Sequence, residues 1–259
     1  VLVLALDTST ATGGVALVED GRLLGEYVLD VQRTTHSERL LPAVERVLQD
    51  AGLGPGRRPD GVAVALGPGS FTGLRIGVMT AKAFSYAWRV PVVGVLTLEA
   101  LAYQASGATP LACPIMDARN GNVFTGLYDV RGPEPVAVAA PALRPARDWF
   151  GKLADGRWRE EAAAATPAGM EGDWMNGAVM FCGDGVPLYW DDIVQALGER
   201  ARRPAPGFEL LRTGAVAMLG AARLARGERD DPMRLAPAYL RESEAERKWG
   251  ARSRRPSPS

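Results

Sequence analysis

VLVLALDTSTATGGVALVEDGRLLGEYV, residues 1–28, decides the fold. Val1–Leu6 is an unbroken apolar run of the kind that forms a strand buried on both faces. The polar turn Asp7–Gly14 leads to a second run, Val15–Val18. Asp20-Gly21 then supplies a tight hairpin turn, because glycine reaches positive φ without steric cost. Leu23–Val28 is a third strand, so the chain opens with three strands joined by turns. Next, Thr35 and Glu38 have the spacing of a capping box. Leu40, Leu41, Val44, Val47, Leu48 and Ala51 recur at helical spacing up to a stop at Gly52. Pro42 inside this pattern predicts a kink or a late helix start. Gly61–Leu66 reads as a fourth strand, Gly67–Ser70 as a loop and Phe71–Trp88 as a long helix. Val90–Val95 reads as a fifth strand, and Thr97 as the cap of a helix reaching about Ala105. The order βββαβαβα over residues 1–106 predicts a mixed five-stranded sheet with helices.

Ser106–Pro110 reads as a joint, after which Leu111–Met116, the turn Asp117–Asn122 and Val123–Tyr128 restart the same strand–turn–strand opening. A second unit of related architecture follows from that weak repeat. Arg147–Leu153, Ile193–Leu197 and Gly214–Arg226 read as helices and Ala178–Cys182 as a strand, while Asp155–Gly177 reads as a long mobile surface loop. The predicted division is an N-terminal lobe 1–106, a C-terminal lobe 107–241 and a disordered tail 242–259.

The 259 residues carry 30 Lys+Arg against 30 Asp+Glu, which excludes a broadly basic nucleic-acid domain. The balance is uneven along the chain: residues 247–259 carry +5 and the rest −5. Two cysteines, Cys113 and Cys182, make neither a disulfide framework nor a zinc module, and one histidine cannot supply a multi-histidine metal site. Val1–Leu6 lacks a basic flank and runs straight into Asp7, so it reads as a strand and not a leader. The apolar stretch Val90–Tyr103 is broken by Glu99 and is shorter than the ~20 residues a bilayer demands. The expectation is a soluble cytoplasmic protein with no membrane contact.

Two constellations carry chemistry. Asp7-Thr8-Ser9-Thr10, at a strand end before Gly13-Gly14, has the parts of a phosphate-binding hairpin of the actin and sugar-kinase ATPases: a carboxylate, hydroxyls and turn N–H groups. Taken alone, it fits a plain Ser/Thr/Gly turn better. The second is GPGSFTGLRIG, residues 67–77, a strand end, a loop and a helix N-terminus suited to an anion but lacking the Walker spacing. Gly73, Gly77 and Ala81 leave one helical ridge nearly bare, which permits another element to approach closely, either a partner helix or the chain's own sheet. His36 beside Ser37 makes no triad from adjacency alone and reads as a helix-start or interface residue.

Together LDTST (6–10), HSERLLP (36–42), the 67–77 block, DARN (117–120), FCGDG (181–185) and PAYLR (237–241) closely resemble the TsaB (YeaZ) family of tRNA-modification proteins, across nearly the whole chain. The resemblance implies an α/β, two-lobed actin-like fold and a non-catalytic partner of the TsaD transferase, joined by TsaE. That complex forms threonylcarbamoyladenosine beside the tRNA anticodon. Checked against the catalytic relative, the active-site Asp of its first hairpin corresponds to Ala11 here, and its metal-binding H-x-x-x-H pair to Thr97 and Leu101. A leucine offers no lone pair to a metal, so neither a metal site nor the transferase chemistry is expected. A peptidase reading fails on the same ligands.

The family likeness implies a heterodimer interface on the two long helices of the first lobe. The residues assigned to it are His36, Leu40, Leu41 and Val44, with Gly69, Ser70, Phe71, Thr72, Gly73, Arg75, Gly77, Thr80 and Phe84. Gly73, Arg75, Gly77, Thr80 and Phe84 are taken as the free face of the second helix, so that Gly77→Trp should block the partner and leave the fold intact. The same face implies a homodimer when the partner is missing. No cofactor is expected in this chain, ATP and metal belonging to the partner subunits. Contact with tRNA is expected to be indirect, the basic tail being the one segment that could touch phosphates. The alternative is an active ATP-dependent phosphotransferase of the sugar-kinase class, its second phosphate turn at Asp117–Asn120 or Gly183–Gly185.

Overall fold

The computed structural model describes residues 1–30, 35–53, 57–162, 172 and 176–240. The first lobe runs β1 (Leu2–Asp7), β2 (Thr12–Glu19), β3 (Arg22–Asp30), α1 (His36–Asp50), β4 (Gly61–Gly67), α2 (Phe71–Trp88), β5 (Val92–Leu96) and α3 (Thr97–Gln104). Its sheet has the order β3-β2-β1-β4-β5, antiparallel on the β3 side of β1 and parallel on the other. The second lobe runs β6 (Leu111–Asp117), β7 (Asn122–Asp129), β8 (Val136–Pro145), α4 (Ala146–Asp155), α5 (Trp158–Ala162), β9 (Val179–Cys182), α6 (Val186–Leu197) and β10 (Ala201–Arg202). Its sheet order, β8-β7-β6-β9-β10, repeats the first strand for strand, with the same parallel and antiparallel pairings. The weak repeat in sequence is thus a repeat of topology, and the architecture is two-lobed and actin-like.

Side chains alternate across β1. Leu2, Leu4 and Leu6 join the cluster under α1 and α2, whereas Val3 and Ala5 join the one containing α3 and α7 (Thr213–Ala225). In β6, Ala112 and Met116 face that shared central cluster, while Leu111, Cys113 and Ile115 pack with Trp149, Phe150 and Ile193 on the far side. The layers are therefore α1/α2, first sheet, α3/α7, second sheet, α4/α6. Both faces of α3 and α7 are committed to the core, and the outer faces of α1 and α2 are open.

Several expectations are corrected here. α1 starts at His36 and runs through Pro42, so there is no late start; Thr35 and Glu38 form the capping box, with the Glu38 carboxylate accepting from the Thr35 N–H at 3.1 Å. Thr97 does not cap α3 but is its first residue, after Leu96, and its hydroxyl is buried without a partner among the described residues. The segment taken as a loop from Asp155 contains α5 and the fully buried Trp158; its middle lies outside the described residues, as does the basic tail. A division at residue 106 also misses the return of α7, which packs on β1, β2 and β4 of the first lobe. Its start is tied there by Glu26 of β3, which accepts from the Gly214 N–H at 2.9 Å and from the Arg212 guanidinium at 2.6 Å.

Candidate functional site

The two β-hairpin turns face each other across an interlobe cleft of about 510 Å³. On one side stand Ser9, Thr10 and Ala11 with Gly69 and Ser70; on the other, Asp117, Arg119 and Asp184. The first turn uses several of its polar groups to brace itself, and leaves the Ser9 hydroxyl buried without a partner among the described residues. The Ser9 N–H donates to Asp7 Oδ1 at 2.8 Å, the Thr8 hydroxyl to the Gly73 carbonyl at 2.7 Å, and the Thr10 hydroxyl to the Thr12 carbonyl at 2.8 Å. The Ser9 carbonyl accepts from the Ser70 N–H at 2.6 Å. Asp7 is fully buried and its Oδ2 has no partner among the described residues. Burial pushes its carboxyl above the ordinary range, an effect only partly offset by Ser9.

His36 lies beneath this turn and not on the helix surface. It is 7 % exposed, and Nε2 is 2.9 Å from the Thr10 carbonyl. A carbonyl oxygen only accepts, so Nε2 carries a proton, and Nδ1 is buried with no hydrogen-bond partner among the described residues. The expectation of an interface histidine is corrected: His36 joins α1 to the hairpin.

Across the cleft, Asp184 Oδ1 accepts from the Asp117 N–H at 3.2 Å, and Asp117 accepts from the Arg119 N–H at 3.0 Å. Desolvation, and secondarily the Asp117 carboxylate, raise the Asp184 carboxyl. Two carboxylates and one arginine thus line this wall. Ala11 gives the opposite wall no charge. Thr97 and Leu101 sit in the apolar interior, Leu101 among Ala100, Met116, Tyr128 and Cys182. Among the described residues no group of three His, Cys, Asp or Glu side chains is placed to hold a metal ion.

The helix-face residues divide sharply. Leu40 and Val44 are buried under the first sheet, and Leu41 is 54 % exposed. Gly73 and Gly77 are also buried, contrary to the free-face expectation: a Cβ on Gly73 would run into the Thr8 carbonyl, and one on Gly77 into the Thr8 hydroxyl. The bare ridge therefore exists to admit the chain's own hairpin. Ser70 caps α2 by accepting from the Gly73 N–H at 3.2 Å. Thr72 and Arg75 are exposed, while Gly69, Phe71, Thr80 and Phe84 are half-buried, Phe84 stacking on Trp88 at 4.3 Å. With the glycine ridge inside, the outward strip of α2 is Thr72, Ile76, Met79, Ala83 and Tyr86, spaced by three and four residues. Met79 is 62 % and Tyr86 88 % exposed. Sequence reasoning missed these because it placed the glycines outward; the helical spacing carried the signal once that phase was reversed.

Residues 30–249 match the family described as TsaD, tRNA N6-adenosine threonylcarbamoyltransferase. The chain is 32 % identical over 247 residues to the tRNA threonylcarbamoyladenosine biosynthesis protein TsaB of Bacillus subtilis (strain 168), covering 95 % of this chain and 97 % of that one. It is 34 % identical over 150 residues to TsaB of Escherichia coli (strain K12), covering 54 % of this chain and 63 % of that one. Among solved structures, YeaZ from Pseudomonas aeruginosa superimposes with a TM-score of 0.70 at 27 % identity, covering 92 % of this chain and 99 % of that one.

Proposed function

Since the chain belongs to the TsaB family, within the wider TsaD-type group, we propose that it serves tRNA threonylcarbamoyladenosine formation as a subunit that binds and activates a TsaD-type transferase and transfers nothing itself. The observation that carries this reading is the outer face of α1 and α2, which exposes Leu41, Met79 and Tyr86 on helices whose other sides are already buried. Exposed aromatic and thioether side chains in one strip suit a protein partner better than water. The cleft supports the non-catalytic half of the reading: Ala11 replaces a carboxylate, the Thr8 and Thr10 hydroxyls are spent internally, and Thr97 and Leu101 are core residues.

In this scheme ATP and metal act in the transferase and in a TsaE-type ATPase, the tRNA is met through the transferase, and the assembly works in the cytoplasm. Among the described residues no helix is long and apolar enough to cross a membrane. Without the transferase the same apolar strip pairs two copies of the chain.

Reconstitution of threonylcarbamoyl transfer to tRNA tests the proposal. The chain alone should form no product, and its addition to the transferase and ATPase should raise the rate severalfold. Product from the chain alone, or a rate indifferent to its addition, overturns it.

A further inference from the structure

The start of α2 carries a stacked group in which each member fixes the next. Tyr239 lies parallel to Phe71, ring centroids 4.1 Å apart at 3°. The Arg75 guanidinium sits over the Phe71 ring at 5.3 Å, and its Nε donates to the Tyr239 hydroxyl at 3.1 Å. Tyr239 itself is held in place, because the preceding Ala238 N–H donates to the Leu66 carbonyl at the end of β4 at 2.8 Å. Arg75 is exposed and makes no ion pair among the described residues. A guanidinium normally loses much side-chain freedom on binding; here the stack and the Nε hydrogen bond have already restricted it, and its terminal N–H groups have no partner among the described residues.

We infer that Arg75 is a preorganised anchor for a carboxylate on the docking face of the partner, and that Tyr239, from the far end of the chain, is its positioning residue. The inference rests on the reading that α2 meets a transferase subunit, and it deepens that reading by naming the chemistry the partner must present: an Asp or Glu side chain opposite the first turns of α2. It also extends the docking surface beyond the first lobe's helices to the C-terminal strap at Pro237–Leu240. A fork-shaped donor held against an aromatic plate takes a carboxylate in bidentate fashion, a geometry a lysine reproduces only in charge.

Calorimetric titration of the full chain into the TsaD-type transferase of the same organism, at low and at high salt, tests this. Wild-type affinity should fall with salt. Arg75→Ala should weaken binding at least tenfold and flatten that salt dependence, Arg75→Lys should restore the salt dependence with part of the affinity, and Tyr239→Phe should lose severalfold with the fold unchanged. Wild-type binding together with an Arg75→Ala affinity within twofold, or an undiminished salt dependence, overturns the inference and leaves the partner reading standing. Absence of wild-type binding overturns both.

Discussion

The Thr8 hydroxyl donates to the carbonyl of Gly73 at 2.7 Å, joining the first hairpin to a helix residue 65 positions later in the chain. One turn along, Gly77 faces the same threonine, with no room for a side chain. Gly77→Val should therefore act on folding: overpacking of this kind costs about 1–3 kcal/mol. At about 2–4 °C per kcal/mol for a chain of this size, thermal melting of the purified variant resolves it. An unchanged melting temperature contradicts the packing described.

Docking should respond to Met79 instead. Met79→Asp places a charge in the middle of the apolar strip, where removal of an anchor commonly costs 2 kcal/mol or more, about thirtyfold in affinity for the transferase. Exposed substitutions usually change stability by less than about 0.5 kcal/mol, so the melting temperature should stay put. Titration and melting on the same sample separate the two effects.

Asp7 gives a pH signature. Its carboxyl is raised by burial, so between its ordinary value of 3.8 and the raised native value the folded protein holds more protons than the unfolded chain. Stability from this group is lost as pH rises through that window and stays lost above it. Asp7→Asn, which keeps the acceptor for the Ser9 N–H, should raise the melting temperature at pH 7. The advantage over wild type should close as pH falls toward 3.8. A gap that widens on acidification contradicts the assignment.

Both thiols are buried, with Cys113 pushed up to about 11 by desolvation and Cys182 pushed up further by the same cause. At pH 8 the thiolate is scarce and inaccessible. Native protein should give almost no reaction with a chromogenic disulfide reagent, and two equivalents after unfolding in guanidinium. Rapid labelling of the native chain contradicts the placement of β6 and β9.

What was legible in the sequence was local or periodic. Thr35 and Glu38 announced α1, and Phe71–Trp88 was bounded correctly because Ser70 and the turn after Trp88 mark its ends. β8 was not legible: its Ala139-Ala140-Pro141 stretch lacks the β-branched residues and alternation that mark a strand, and pairing with β7 supplies what propensity does not. The candidate site failed where it depended on distant contacts. A bare ridge at Gly73 and Gly77 shows that something approaches closely, but not that it is Thr8; His36 looks like a surface helix start until Thr10 is folded over it; and nothing near Arg75 in sequence hints at Tyr239.

If the chain serves tRNA threonylcarbamoyladenosine formation by gripping a partner through the outer face of α1 and α2, that face must be needed for the modification in the cell. Nucleoside mass spectrometry of total tRNA, after depletion of this protein and complementation with either wild type or Met79→Asp, tests it most directly. Threonylcarbamoyladenosine should be lost on depletion, recover with wild type and recover little with Met79→Asp at equal protein level. Normal threonylcarbamoyladenosine in the depleted cells, or full recovery with Met79→Asp, would contradict it.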